Sequence, residues 1–385
     1  MAKFLSYLLS YLLYPLSFLF PRKKGRLSFG CPRAKFDGNP KYLFLEYSEK
    51  GYDACWLSSD KKLIKELKDK GLKAEYIYSP KGVLRALSSS WWVVGAYSSD
   101  ILWCLSGGVK ILNLWHGVAL KQIEFCIESG PLADRYIRKS LKERFFHPEV
   151  YRRPDLLLCS SESQKEKFAK AFRVSPEHCV IGTYPRNRIL TCSESEREAF
   201  IKKYEEAEIW ELICRLRSFN KVYVYMPTWR DDGTSAMENF DYQSLNRVLE
   251  EKGEALLIKD HFNFKGSESR EFGNIFELPS TCDIYPLLAF SDVLITDYSS
   301  VLYDYILMEG KNCILYLFDY QEYVENRHFF YPFEESVVGT EVYDFKALIR
   351  LIREGAKPLD ENKRKALINK FWTDHKYDFD NYLHL

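Results

Sequence analysis

The sequence lacks the signatures by which many nucleotide enzymes announce themselves. It has no Walker glycine loop, no G-x-G-x-x-G fingerprint and no nucleophile elbow, which disfavours P-loop ATPases, typical dehydrogenases and α/β-hydrolases. An excess of charge of one sign is also missing: 55 Lys and Arg stand against 54 Asp and Glu, a net +1, so neither disorder nor a broadly basic nucleic-acid surface is implied. Ten cysteines are scattered singly, with no C-x-x-C and no cysteine–histidine cluster. They read as reduced thiols of a cytosolic protein, with no disulfide frame and no zinc site. There is no internal repeat and no low-complexity segment.

What is present is apolar and aromatic mass. Hydrophobic residues make up 46% and aromatic residues 16% of 385 residues, enough for two globular domains. The aromatic residues belong to core and domain interface, because no element interleaves them with basic residues as a base-stacking platform would. Phe4 to Phe20 is almost wholly apolar and ends in Pro21-Arg22-Lys23-Lys24-Gly25-Arg26. Pro15 interrupts it, and a spanning helix wants about 20 apolar residues. The positive charges follow the apolar stretch, unlike those of a signal peptide. The stretch therefore predicts an interfacial segment whose apolar side enters the cytoplasmic leaflet while Arg22, Lys23, Lys24 and Arg26 meet anionic head groups.

Between Arg26 and Gly182, strand-like runs alternate with helical patterns: Tyr42 to Tyr47, Ala54 to Leu57, Ala74 to Tyr78, Trp91 to Gly95, Lys110 to Leu114 and Leu156 to Cys159. Lys61 to Lys70, Pro80 to Ser88 and Ser160 to Phe172 read as helices, the last opened by a hydroxyl cap. After a Glu- and Lys-rich helical connector, Glu194 to Arg217, the pattern repeats. Strands are expected at Lys221 to Tyr225, Ala255 to Ile258, Ile275 to Glu277, Val293 to Ile295 and Asn312 to Tyr316, with helices at Leu245 to Gly253 and Ile284 to Phe290. Alternation of this kind predicts two α/β lobes with parallel sheets and a cleft between them. The expected division is a membrane-associating segment over 1–26, a first domain over 27–190 and a second over 191–385.

Several strand ends are rich in polar groups. Ser291 to Asp304 reads as a buried strand, the turn Thr296-Asp297-Tyr298, and a helix capped by Ser299 or Ser300, an arrangement that binds phosphate. His116 follows Lys110 to Leu114 and precedes Gly117, where a neutral imidazole suits removal of a proton from an alcohol. Tyr184-Pro185-Arg186-Asn187 lies at the border of the lobes and offers a guanidinium. Thr228 and Arg230 end the strand at Lys221, and Lys259 and His261 end the strand at Ala255. Together these donors suit a diphosphate.

In this order the motifs Trp115-His116-Gly117 with Lys121, Gly182-Thr183-Tyr184-Pro185-Arg186-Asn187, Pro227-Thr228-Trp229-Arg230-Asp231 and Ile295-Thr296-Asp297-Tyr298-Ser299-Ser300 with Asp304 resemble those of the CDP-glycerol glycerophosphotransferase family. The match takes in Asn39-Pro40-Lys41-Tyr42 and Phe318-Asp319-Tyr320 and covers nearly the whole chain after the N-terminal segment. The resemblance implies a GT-B fold, a CDP-polyol donor on the C-terminal lobe, and transfer of a polyol phosphate to a hydroxyl of a lipid-linked acceptor. Glycerol phosphate is the expected unit, for a teichoic-acid-like or capsular polymer, at the cytoplasmic face of the membrane. It implies His116 as base and His261 as the second essential histidine. The implied substrate-binding residues are Gly117, Lys121, Arg186, Asn187, Thr228, Arg230, Lys259, Thr296, Asp297, Ser299, Ser300 and Asp304. No metal, cofactor or nucleic acid is expected. Three departures bear on acceptor and polyol identity more than on reaction type: Val118-Ala119 where the family favours Thr-Pro, Arg188 where it favours Asp, and Asp260 where an apolar residue is common. Two alternatives are a GT-B sugar transferase using a nucleotide-sugar and a non-catalytic, membrane-docked assembly factor.

Overall fold

Short apolar runs build two parallel sheets in this computed structural model, which describes residues 2–130, 132–138, 140–228, 240–259, 273–279, 281–326 and 328–384. The first sheet joins β1 (Lys23–Phe29), β2 (Asp53–Ser58), β3 (Ala74–Tyr76), β4 (Ser89–Val94), β5 (Lys110–Asn113), β6 (Leu156–Cys159) and β7 (Cys179–Ile181) in the order β3-β2-β1-β4-β5-β6-β7. The second joins β8 (Lys221–Met226), β9 (Glu254–Ile258), β10 (Ile275–Glu277), β11 (Val293–Thr296), β12 (Asn312–Tyr316) and β13 (Thr340–Val342) in the order β10-β9-β8-β11-β12-β13. Every ladder in both is parallel. The inner strands are buried on both faces, as β9 and β11 show along their whole length, which is why they read as continuous apolar runs. In each sheet the order reverses beside the first strand, and ligands of open α/β sheets bind at the carboxyl ends there.

Side-chain caps fix several helix starts. Ser161 accepts from Gln164 N at the head of the helix Glu162–Phe172. Ser193 and Glu196 form a reciprocal capping box at the head of the connector helix Glu194–Tyr204.

Three expectations are corrected. Tyr42 to Tyr47 is not a strand but part of the helix Gly38–Glu49, and residues 39–47 are buried on all sides, so the one-sided apolar period that marks a surface helix is absent. Of the basic run expected to meet anionic head groups, Arg22 and Arg26 are engaged by protein while Lys23 and Lys24 are exposed. β1 begins at Lys23, the Arg22 guanidinium donates to the carbonyls of Ala86 (2.8 Å) and Leu105 (3.2 Å), and Arg26 pairs with Asp53 at 3.0 Å. The second domain does not keep the C-terminus. Beyond the helix Glu361–Phe371 the chain returns to the first lobe, where Tyr377 donates to Glu46 (2.6 Å) and Asp380 accepts from Tyr47 (2.9 Å). A Cβ on Gly182 would lie 2.7 Å from the Tyr377 backbone, so this crossing demands glycine there.

The N-terminal helix Ala2–Ser17 docks by one face. Tyr7 and Tyr11 pack on Phe145, Tyr11 and Tyr14 pack on Trp103, and Ser17 is buried, accepting from Gly107 N at 2.8 Å. The opposite face leaves Leu5, Leu8, Leu9, Leu12 and Leu16 exposed, followed by Phe18, Leu19 and Phe20. Among the described residues no helix is long and apolar enough to cross a membrane.

Candidate active site

The loop leaving β5 is held at its first four carbonyls. Asn39 donates its side-chain amide to the oxygens of Leu114 (3.2 Å) and Trp115 (2.9 Å), Arg186 Nη1 donates to that of His116 (3.0 Å), and Tyr184 donates to that of Gly117 (3.1 Å). Asn113 Oδ1 receives Trp115 N at 2.8 Å. Four consecutive carbonyls tied by three side chains explain how Trp115 keeps a φ of 50°, a left-handed conformation that a bulky residue resists. The result is placement: the Trp115 ring wedges edge-on against Phe172 and lies 4.0 Å, centroid to centroid, from the His116 ring.

His116 therefore stands on a rigid loop with its ring open to the cleft. Crowding by protein, and next the Arg186 guanidinium, lower its pKa to about 4, while the Gly95 carbonyl partly offsets them. Solvent on the open side of the ring moderates the depth of that shift but not its direction. At neutral pH the imidazole is neutral, the form that accepts a proton.

The second lobe meets this loop directly. Gly117 has φ 153°, and a Cβ there would lie 2.6 Å from Ser300 Oγ, so glycine lets the two lobes close. Lys121 bridges in antiparallel fashion to Phe329, and its ammonium lies 5.8 Å from the centre of the Tyr323 ring. Asp304 is fully buried and receives Arg186 Nη2 (2.6 Å) and the Tyr285 hydroxyl (2.7 Å), while the guanidinium rests on the Tyr285 ring at 4.5 Å. Burial opposes charge on both partners. Asp304 nevertheless holds the Arg186 pKa above its ordinary value, whereas burial outweighs Arg186 at Asp304 and moves that carboxyl upward. A guanidinium does not deprotonate, so the pair is ionic at neutral pH. Arg186 is thus spent on positioning: it joins the His116 carbonyl to the second lobe. Beside it, Asn187 is buried, and its side-chain amide helps to hold the Asp304 carboxyl.

The turn after β11 is organised from within. Thr296 Oγ1 donates to the Met226 carbonyl (2.6 Å), and the buried Asp297 carboxylate accepts from Thr228 N (2.9 Å) and Tyr298 N (2.6 Å), which ties the ends of β8 and β11 together. Ser299 and Ser300 are half-buried at the start of the five-residue helix Val301–Tyr305. Ser299 Oγ receives Val301 N at 3.4 Å, and Ser300 occupies the cap position without a side-chain cap. Lys259, at the end of β9, donates to the carbonyls of Pro279 (2.6 Å) and Cys282 (2.7 Å), and burial lowers its pKa. Arg230 and His261 lie outside the described residues. Among those residues no group of His, Cys, Asp or Glu could hold a metal ion.

The structure thus brings His116, Gly117, Arg186, Asn187, Ser300 and Asp304 together, and places Thr228, Thr296, Asp297 and Ser299 in the adjoining turn. Sequence reasoning missed Asn39, Tyr184 and Tyr285 as site residues. Asn39 and Tyr184 stood inside recognised motifs, but Tyr285 carried no local signal.

Residues 12–376 match the family described as CDP-Glycerol:Poly(glycerophosphate) glycerophosphotransferase. The chain belongs to this family. Among its relatives, the teichoic acid poly(glycerol phosphate) polymerase of Bacillus spizizenii is 28% identical over 343 residues, covering 83% of this chain and 81% of that protein. The teichoic acid ribitol-phosphate polymerase TarK of Staphylococcus aureus is 28% identical over 251 residues, covering 62% of this chain. The chain aligns with only 45% of the length of TarK. The solved structure of the wall teichoic acid polymerase TagF superposes with a TM-score of 0.75 at 21% identity, covering 100% of this chain and 96% of that one. The family fold, with its two facing parallel-sheet lobes, is therefore the fold of this chain. The relatives are named for glycerol phosphate and for ribitol phosphate alike.

Proposed function

We propose that this member of the family transfers a polyol phosphate, with glycerol phosphate first among the polyols, from a CDP-activated donor to a hydroxyl of a lipid-linked acceptor in cell-surface polymer synthesis. The observation that carries the reading is the His116 loop, rigidly held at four carbonyls and set against Ser300 of the second lobe. In the proposed step His116 takes the acceptor proton as the oxygen attacks the β-phosphorus. The new O–P bond forms as the bond to the bridging oxygen breaks, and CMP leaves with that oxygen. Such transfer has little covalent work for protein to do, so catalysis rests on positioning and on charge at the phosphate oxygens. The half-buried hydroxyls of Ser299 and Ser300 are the described groups offered to those oxygens, with Arg230 and His261 assigned there by their motifs alone.

Attachment to the cytoplasmic face of a membrane belongs to the same proposal, because a lipid-linked acceptor is reached there. The exposed leucines of the helix Ala2–Ser17 support it. The test is CMP release from CDP-glycerol and from CDP-ribitol with a short acceptor, beside a panel of nucleotide-sugars. The reading expects turnover of a CDP-polyol that His116→Gln lowers on the order of a hundredfold or more. Turnover of a nucleotide-sugar alone would replace it with a sugar transferase.

A further inference from the structure

A cavity rimmed by basic side chains lies away from the cleft. It holds about 340 Å³ and is walled by Arg26, Lys68, Lys73, Lys81 and Arg85 against one lining carboxylate, Glu75. Lys73 immediately precedes β3, so the cavity opens beside the amino ends of β2 and β3, whereas His116 follows the carboxyl end of β5. Its cations are of two kinds. Arg26 and Arg85 are anchored on Asp53 at 3.0 and 2.6 Å, and Lys68 pairs with Glu75 at 3.0 Å. The ammonium groups of Lys73 and Lys81 are exposed and have no hydrogen-bond or ion-pair partner among the described residues. Arg85 Nε is buried and likewise without a partner. Five cations around one space are offset by two carboxylates, which leaves a positive charge for an anion to meet.

The surroundings say which anion. Lys81 and Arg85 belong to the helix Pro80–Ser88, whose Ala86 carbonyl receives Arg22 at 2.8 Å, just beyond the apolar segment. That helix packs on the turn Trp103–Leu105, and the Trp103 ring in turn carries Tyr11 and Tyr14 of the helix Ala2–Ser17, at centroid distances of 5.0 and 5.7 Å. Leu84, at the rim, and Tyr78, just before the helix, are exposed, and Lys23 and Lys24 are exposed after the apolar segment. A basic cavity with an apolar rim, joined through the turn Trp103–Leu105 to the helix that exposes the leucines, suits a phosphate carried on a lipid. We propose that this cavity binds the phosphate of an anionic phospholipid head group, seating the first lobe on the membrane at a second point. The proposal rests on the membrane attachment proposed above.

The test uses the full chain, vesicles of phosphatidylcholine alone, and vesicles of phosphatidylcholine and phosphatidylglycerol in equal parts. Lys73→Gln with Lys81→Gln should lower binding to the anionic vesicles by roughly thirtyfold, from the attraction of two lysines near an anionic surface. Binding to neutral vesicles and turnover on a short soluble acceptor should stay as in wild type. Unchanged preference for anionic vesicles would overturn the proposal, as would a loss of binding to short-chain phosphatidylglycerol in Lys23→Gln with Lys24→Gln equal to that in the cavity variant. Short-chain phosphatidylglycerol in solution, measured by calorimetry, separates the two readings. If wild type binds neither vesicle yet binds this soluble lipid, and the double variant does not, the cavity stands and the membrane attachment falls. Inorganic phosphate competing as well as the short-chain lipid would overturn the lipid assignment.

Discussion

His116 titrates far from where a free histidine does, and the displacement has a kinetic signature. Its folded-state pKa lies below the ordinary imidazole value because crowding by protein and the Arg186 guanidinium oppose a second positive charge. The neutral, proton-accepting form then persists into mildly acidic solution. The acid limb of kcat/KM, which reports the free enzyme, is expected clearly below pH 6, and that of kcat higher, because a bound diphosphate brings negative charge to the ring. A kcat/KM limb at the ordinary histidine value would exclude His116 as the base. His116→Gln should lower kcat on the order of a hundredfold or more, with donor affinity nearly intact, since general base catalysis supplies that much. Asn39 acts one residue removed. Asn39→Ala strips the carbonyls of Leu114 and Trp115 of their donor, at about 1–3 kcal/mol of stability for each buried group left unpaired. Its mark as a positioning residue is a fall in kcat with little change in KM for the donor; a loss of stability alone, with kcat intact, would make it merely structural.

At the scale of elements, legibility followed burial. β2, β6, β9, β11 and β12 were readable because strands covered on both faces must be unbroken apolar runs. β1 was hidden by Lys23, Lys24 and Arg26, whose charges suggested a free basic cluster although Arg22 and Arg26 are spent on Ala86, Leu105 and Asp53. The helix Gly38–Glu49 was misread for the opposite reason, since burial on all sides erases the helical period. Motif order found most of the candidate site but not the role of Arg186, whose Asp304 partner lies far along the chain. The N-terminal helix shows what this means for experiment. Deleting residues through Arg26 would remove part of β1 and expose Trp103, Phe145 and Phe146, so substitution is the cleaner probe. Leu5, Leu9, Leu12 and Leu16 replaced by Ser should leave the melting temperature within a few degrees of wild type while vesicle sedimentation falls by an order of magnitude or more, because each leucine withheld from lipid forfeits about 1.5–3 kcal/mol. Undiminished sedimentation would place the attachment elsewhere.

The whole molecule is joined at Lys41. Its ammonium is 1% exposed and pairs with Glu205 of the connector at 2.6 Å and Asp283 of the second lobe at 2.8 Å, while Tyr42 also donates to Asp283 at 3.0 Å. One cation of the first lobe thus neutralises carboxylates from the other two parts of the chain. Burial alone would lower the Lys41 pKa, but Asp283 and Glu205 outweigh it and hold it above its ordinary value; burial moves Glu205 upward. Lys41→Met keeps the volume of the stem and removes the charge, leaving two buried carboxylates facing each other, which should cost about 3–5 kcal/mol at neutral pH. The sign of the pH dependence identifies the cause. Without Lys41 the Glu205 carboxyl, already raised by burial, moves further above its unfolded value, so between the unfolded and folded values the native state binds more protons than the unfolded one. Stability of the variant therefore increases as pH falls from about 8 towards the carboxylate range, and its deficit against wild type shrinks. Thermal midpoints of both proteins, measured across that range, should converge on acidification. A deficit that stays constant with pH would mean that Lys41 matters for packing and not for the charge it carries between the lobes.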